Sequence, residues 1–178
     1  GIFAISWIAA FLLASLLLGL RLLPVKAFDK VVSAFVGYHR NVPLLVQILI
    51  WYFGVPQLLP DATQMWINDH HGEIVFATIA LSMNAAAYMT EDLRSGLRSL
   101  PPGQAEAARA LGLNYRQSLR YILLPQALRA AIPPMVSQTV MLLKTTSLAM
   151  AIGVAELTYS ARQIENETYL TFATFAVA

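Results

Sequence analysis

Cysteine is absent from this 178-residue chain, which excludes disulfides and thiolate metal sites but fits any redox compartment. Charge is scarce as well. Lys, Arg, Asp and Glu make up 12% of the residues, about half the share of a soluble domain. Apolar residues reach 57%, and the mean hydropathy is +0.59. A surface of this composition would not stay in water. The net charge of +2 is too small to imply a nucleic-acid partner. No glycine-rich run ends in Gly-Lys-Ser/Thr, so the chain offers no phosphate loop and no catalytic residue for nucleotide chemistry. There is no low-complexity tract, internal repeat or linker, and residues 1–178 read as one domain.

What the chain has in abundance is long apolar runs. A bilayer core needs roughly 20 such residues per helix, and five stretches offer themselves: 2–20, 43–59, 74–89, 132–154 and 169–178. The first lacks the basic residues that precede a signal-peptide core and is longer than one, so it reads as a span. The last rises only about 15 Å if helical, half a crossing. The natural chain is therefore expected to continue beyond residue 178 and to begin before residue 1. Cytoplasmic loops retain Lys and Arg. Residues 21–42 carry Arg21, Lys26, Lys30 and Arg40, and residues 93–130 carry Arg94, Arg98, Arg109, Arg116, Arg120 and Arg129. The intervening connections are acidic, with Asp61 and Asp69 in one and Glu156, Glu165 and Glu167 in the other. This alternation puts residue 1 outside and loops 21–42 and 93–130 in the cytoplasm.

The long basic loop has internal order. Pro101-Pro102-Gly103 opens a strong helix-forming run, 104–111, and Gly112 stands where a left-handed cap belongs. Asn114 with Gln117 predicts a capping box for a second helix, on which Tyr115, Leu119 and Ile122 share a face and which Pro125 closes. The spacing predicts a helix–glycine–helix elbow over 103–125.

The sequence Glu106-Ala107-Ala108, then Gly112, then Ile122-Leu123-Leu124-Pro125 resembles the EAA loop of permease subunits in ATP-binding-cassette importers. Further segments resemble the importers of polar amino acids of the histidine, glutamine and glutamate type: residues 38–47, which hold Arg40-Asn41-Val42-Pro43-Leu44; residues 81–91, which end in Ala87-Tyr88-Met89-Thr90-Glu91; Pro125-Gln126-Ala127-Leu128-Arg129; and Leu143-Lys144-Thr145-Thr146-Ser147-Leu148. Asn41-Val42 departs from the Gly-Thr common in the group. The resemblance implies an all-α, polytopic membrane bundle in the bacterial inner membrane, with a five-helix permease core and a cytoplasmic coupling-helix loop. It also implies two cytoplasmic ATPase subunits that bind ATP and Mg, a second permease, identical or similar, and an external amino-acid-binding protein. Glu106, Ala107, Ala108, Gly112, Arg116 and Pro125 are the expected ATPase-coupling residues, with Glu106 fixing the elbow through a basic partner or exposed amides.

Within the spans, Asn84, Tyr88 and Glu91 fall on one helix face, and Lys144 stands mid-span beside Thr145 and Ser147. An uncompensated mid-membrane lysine costs roughly 2.5–3.5 kcal/mol, so it faces protein or water. These six are candidates for the substrate pathway; the alternative is a structural Lys144–Glu91 ion pair. Gln47 beside Pro43 reads as structural, satisfying backbone groups that the proline frees. His70, His71 and Glu73 lack the spacing of a helical metal site. Trp51, Tyr52 and Trp66 read as interfacial anchors, and Pro133-Pro134 as a bend at the start of the fourth span. The rival function is an ion-gradient-driven amino-acid transporter, which would show inverted repeats and broken helices. No broken span is expected. An intramembrane enzyme would need a nucleophile–base pair or metal ligands, and only isolated polar groups occur.

Overall fold

The structure, a computed structural model, describes residues 1–169. Helix α1, Ile2–Arg21, is followed by α2, Lys26–Asn41, and α3, Leu44–Leu49, which continues through a π-helical turn, Ile50–Gly54, and a 3-10 turn, Pro56–Leu58. The short α4, Asp61–Asp69, leads into the long α5, Gly72–Arg98. Helix α6, Pro102–Ala110, and α7, Tyr115–Gln117, come next. From α7 a π-helical stretch, Ser118–Leu123, runs on into α8, Leu124–Thr145, and a 3-10 turn, Thr146–Ile152. Helix α9 is Leu157–Thr168.

Three helical runs are long and apolar enough to cross a bilayer: Ile2–Arg21, Gly72–Arg98 and Tyr115–Ile152. The pair Lys26–Asn41 and Leu44–Leu58, bent by 106°, makes a fourth if it is one broken span. The all-α membrane bundle is as the sequence implies. Its described part holds three or four spans rather than five, and the expected span 169–178 lies outside the described residues apart from Tyr169.

Apolar helices gain little from leaving lipid for one another, so close approach decides which of them pair. Ser6, Ala10 and Ala14 recur every fourth residue along α1 and are fully buried; on α5, Ala77, Ala80, Ala85 and Ala86 are buried as well. Ala10, Ala14 and Leu18 share one core with Leu81, Ala85 and Met89. Ile2 and Ile74 border one cavity at one end of the pair, and Arg21 meets Glu91 toward the other, so α1 and α5 run parallel. Helix α8 runs against them: Gly96 abuts Ala127 and Ala131, while Leu142 lies near Asn84 and Ala85.

Four expectations need correction. Residues 21–42 do not form a basic loop; most of them make α2, which buries Val32, Val36 and His39 while Lys26, Asp29 and Lys30 stay on the outer faces. The elbow loop is shorter than 93–130, because α5 extends to Arg98 and helix resumes at Tyr115. Pro125 closes nothing. It occupies the first turn of α8, where a proline needs no N–H donor, and the wide π-helical turns before it relieve its clash. Pro133 and Pro134 likewise lie inside α8 and not at its start.

The broken span was also unforeseen, although the residue that stabilises it was singled out. Pro43 has no N–H to give the His39 carbonyl four residues back. That carbonyl instead accepts from Gln47 Nε2 at 3.0 Å and from Asn84 Nδ2 at 2.8 Å. Gln47, fully buried, also donates to the Val42 carbonyl at 2.7 Å, and its Oε1 lies 2.6 Å from His39 Nδ1. Gln47→Leu strands these groups at a cost of about 1–3 kcal/mol each. It should lower the melting temperature of the purified protein by several degrees, and Gln47→Glu, which keeps the acceptor but gives up both Nε2–H donations, should lower it as well.

Candidate functional site

The bend between α2 and α3 opens a cavity of about 400 Å³ against α5 and α8. Its polar wall is Arg40, Asn41, Asn84, Tyr88, Gln138 and Thr145, and its apolar lining includes Pro43, Leu44 and Leu142. Asn84 is adjacent to the midpoint of the 27-residue α5, so the cavity lies deep between the helix ends. Irregular backbone at such depth is tolerated where it lines a cavity. The Arg40 guanidinium stands 5.2 Å from the centre of the Tyr88 ring, a cation–π contact. Asn84 gives its amide N–H to the His39 carbonyl, leaving its oxygen for the cavity. Thr145 bonds back to the Met141 and Leu142 carbonyls at 3.0 and 3.1 Å. No acidic side chain lines the space.

The pathway candidates separate here. Asn84, Tyr88 and Thr145 line the cavity; Glu91, Lys144 and Ser147 do not. Glu91 is held by Arg21, whose side chain is 5% exposed, and by Arg94 at 3.6 Å. Arg21 also pairs with Asp29 at 3.4 Å and donates to Ser33 Oγ at 2.8 Å, so one buried guanidinium ties α1, α2 and α5 together. The Lys144–Glu91 pair is absent. Lys144 lies on the exposed flank of α8 beside Leu143, and Ser147 donates to the Lys144 carbonyl at 2.7 Å. Arg40 and Gln138 escaped the sequence reading as site residues. The signal for Arg40 was its place immediately before the Asn41-Val42-Pro43 break.

The elbow is built by local chemistry. Gly112, at φ +77°, donates to the Arg109 carbonyl at 2.9 Å, and Leu113 to that of Ala108 at 3.1 Å, together a Schellman cap on α6. Asn114 and Gln117 form the reciprocal capping box. Ala108 is buried, and Gln126 donates to Gln104 Oε1 at 3.2 Å. Glu106 does not fix the elbow: the N-cap of α6 is Pro101, with no side-chain cap, and Glu106 has no ion pair among the described residues. Glu106, Ala107, Leu111 and Arg116 face outward, Leu111 at 77% exposure.

Among the described residues no three His, Asp or Glu side chains are grouped to hold an ion. His71 pairs with Glu73 at 3.4 Å, and His70 stacks on Trp66.

Residues 5–178 match the family model described as binding-protein-dependent transport system inner membrane component. The glutamate/aspartate import permease protein GltJ of Escherichia coli (strain K12) is 36% identical over 94% of this chain and 73% of its own length. The probable glutamine ABC transporter permease protein GlnP of Bacillus subtilis (strain 168) is 38% identical over 92% of this chain and 71% of its own. A solved structure, the crystal structure of an amino acid ABC transporter with histidines, superposes with a TM-score of 0.86 at 28% identity, covering 99% of this chain and 78% of that one. The chain thus belongs to the family of binding-protein-dependent transport system inner membrane components, as a permease of the polar-amino-acid type that its elbow and span motifs resemble.

Proposed function

We propose that this permease moves a polar L-amino acid inward through the cavity at the α2–α3 bend, driven by ATP hydrolysed on two partner subunits that the elbow engages. The observation that carries this is the cavity's chemistry. Arg40 offers a carboxylate-binding fork, and Asn84 Oδ1 and Gln138 offer neutral acceptors to an ammonium group. Both charged ends of an amino acid then find partners at mid-depth. The rival of an ion-gradient-driven carrier finds no support in the family match, although a broken helix, the feature expected of such a carrier, is present.

The elbow suits a rigid lever. Its shape rests on caps and on Ala108, so Glu106, Ala107, Leu111 and Arg116 are free to meet the ATPase surface. The remaining parts follow the resemblance: a five-helix core with residue 1 outside, a second permease closing the open side of the cavity, and a binding protein outside. The test is reconstitution of the full complex in lipid, with amino acids scanned as competitors for ATP-dependent uptake. Uptake driven by an ion gradient without ATP would overturn the proposal. Gly112→Val should cut uptake at least tenfold and raise the ATP hydrolysed per amino acid moved, because a β-branched residue resists the left-handed conformation. Gly112→Asn, which accepts that conformation more readily, should retain most activity.

A further inference from the structure

The structure assigns a phospholipid site to the groove between α1 and α8, with an acyl chain along the groove and an anionic headgroup at Arg129. The groove has a volume of about 320 Å³. Trp7 and Phe11 form one wall, their rings stacked at 5.5 Å. Ile132, Met135 and Val136 of α8 form the other. Trp7 Nε1 donates to Thr139 Oγ1 at 2.8 Å, which satisfies both polar groups at the far end and leaves that end apolar. From Thr139 to Arg129 the groove follows ten helical residues, about 15 Å, the scale of an acyl chain in one leaflet.

Charge decides the occupant. Arg129 closes the groove at the elbow end, exposed and without an ion pair among the described residues. Arg98 ends α5 at the same level, because Gly96, two residues before it, abuts Ala127 and Ala131. It is exposed and unpaired as well. An apolar slot between spanning helices, closed by the free Arg129 guanidinium with Arg98 at the same level on the neighbouring helix, matches a phospholipid with net negative charge. A neighbouring protein helix would fill the slot but leave both cations without partners.

The test uses the complete permease–ATPase complex in vesicles, with Trp51→Phe and Trp66→Phe leaving Trp7 as the only tryptophan of this chain. Brominated phosphatidylglycerol and brominated phosphatidylcholine are titrated separately, and quenching of Trp7 is read. Phosphatidylglycerol should reach half-maximal quenching at a mole fraction about fivefold lower, the effect of about one basic residue acting on an anionic lipid. Arg129→Gln should shrink that preference to within about twofold, and Arg162→Gln, on a different helix, should leave it intact. Equal quenching by the two lipids, or a preference indifferent to Arg129→Gln, would overturn the assignment. So would the absence of quenching by either lipid, which would mean that protein covers Trp7.

Discussion

Gly96→Leu is expected to leave almost no folded permease in the membrane fraction, and Gly96→Ala to leave a reduced amount that melts earlier in mild detergent. Gly96 stands at the crossing of α5 and α8, where a β-carbon would lie 2.5 Å from the Ala127 carbonyl oxygen, 3.2 Å from the Ala131 nitrogen and 3.1 Å from the Ala131 β-carbon. Two of these three atoms are backbone. A side chain in the way can rotate aside, but the Ala127 carbonyl points along α8 toward the Ala131 N–H, so moving it disturbs the helix itself. The helices must therefore separate. Overpacking by one methylene costs about 1–3 kcal/mol in a well-packed core. In a membrane, where contact between helices rests on close packing, separation also forfeits the neighbouring contacts. The same crossing sets the distance between Asn84 on α5 and Gln138 on α8 across the cavity, and it roots the elbow, which leaves α5 at Arg98 and rejoins α8. Wild-type amounts and an unchanged melting profile for Gly96→Ala would mean that the two helices do not approach this closely.

Features governed by neighbours in sequence were legible from the chain alone. The Gly112 cap, the Asn114–Gln117 box and the role of Gln47 beside Pro43 each depend on groups within a few residues, and each is present in the structure. The spans 2–20 and 74–89 were legible because their apolar runs are uninterrupted. Helix α2 was not, because Lys26, Asp29, Lys30 and Arg40 dilute its hydropathy while only Val32, Val36 and His39 turn inward. Charge counting then treated Arg40 as a loop residue. The partner of Glu91 was out of reach for another reason: Arg21 is 70 residues away, and no local period links them. A Lys144–Glu91 pair stood as the alternative to a pathway role because both are charged and intramembrane, but proximity depends on which helix faces meet, and small residues rather than charges set those faces here. The bend at Val42–Pro43 shows the limit most clearly. Proline announces a disturbed helix, yet whether the chain kinks slightly or turns by 106° depends on the donors that tertiary packing brings, here Asn84 from α5.

Arg40→Gln should reduce ATP-driven uptake roughly tenfold or more, the scale for losing a hydrogen bond to a charged group, while the permease still assembles with its ATPase subunits. Assembly survives because Arg40 makes no ion pair within the described chain; its contact is with the Tyr88 ring, and Asp92 acts on it only at longer range. The fold around it is secured by His39, Gln47 and Asn84, which the substitution leaves alone. Arg40→Lys keeps the charge but loses the planar fork, so it should recover part of the uptake with a raised KM. Tyr88→Leu removes the ring that orients the guanidinium and should act in the same direction, more weakly. Lys144→Met provides the contrast. Its ammonium lies outside the cavity, so substrate affinity at the cavity should change by less than about twofold, even if contact with a second permease is altered. Radiolabelled amino-acid binding to the complex without the external binding protein separates these effects from substrate delivery. Wild-type binding by Arg40→Gln together with normal uptake would move the pathway away from the α2–α3 bend. Loss of binding in Lys144→Met but not in Arg40→Gln would place it on the exposed flank of α8.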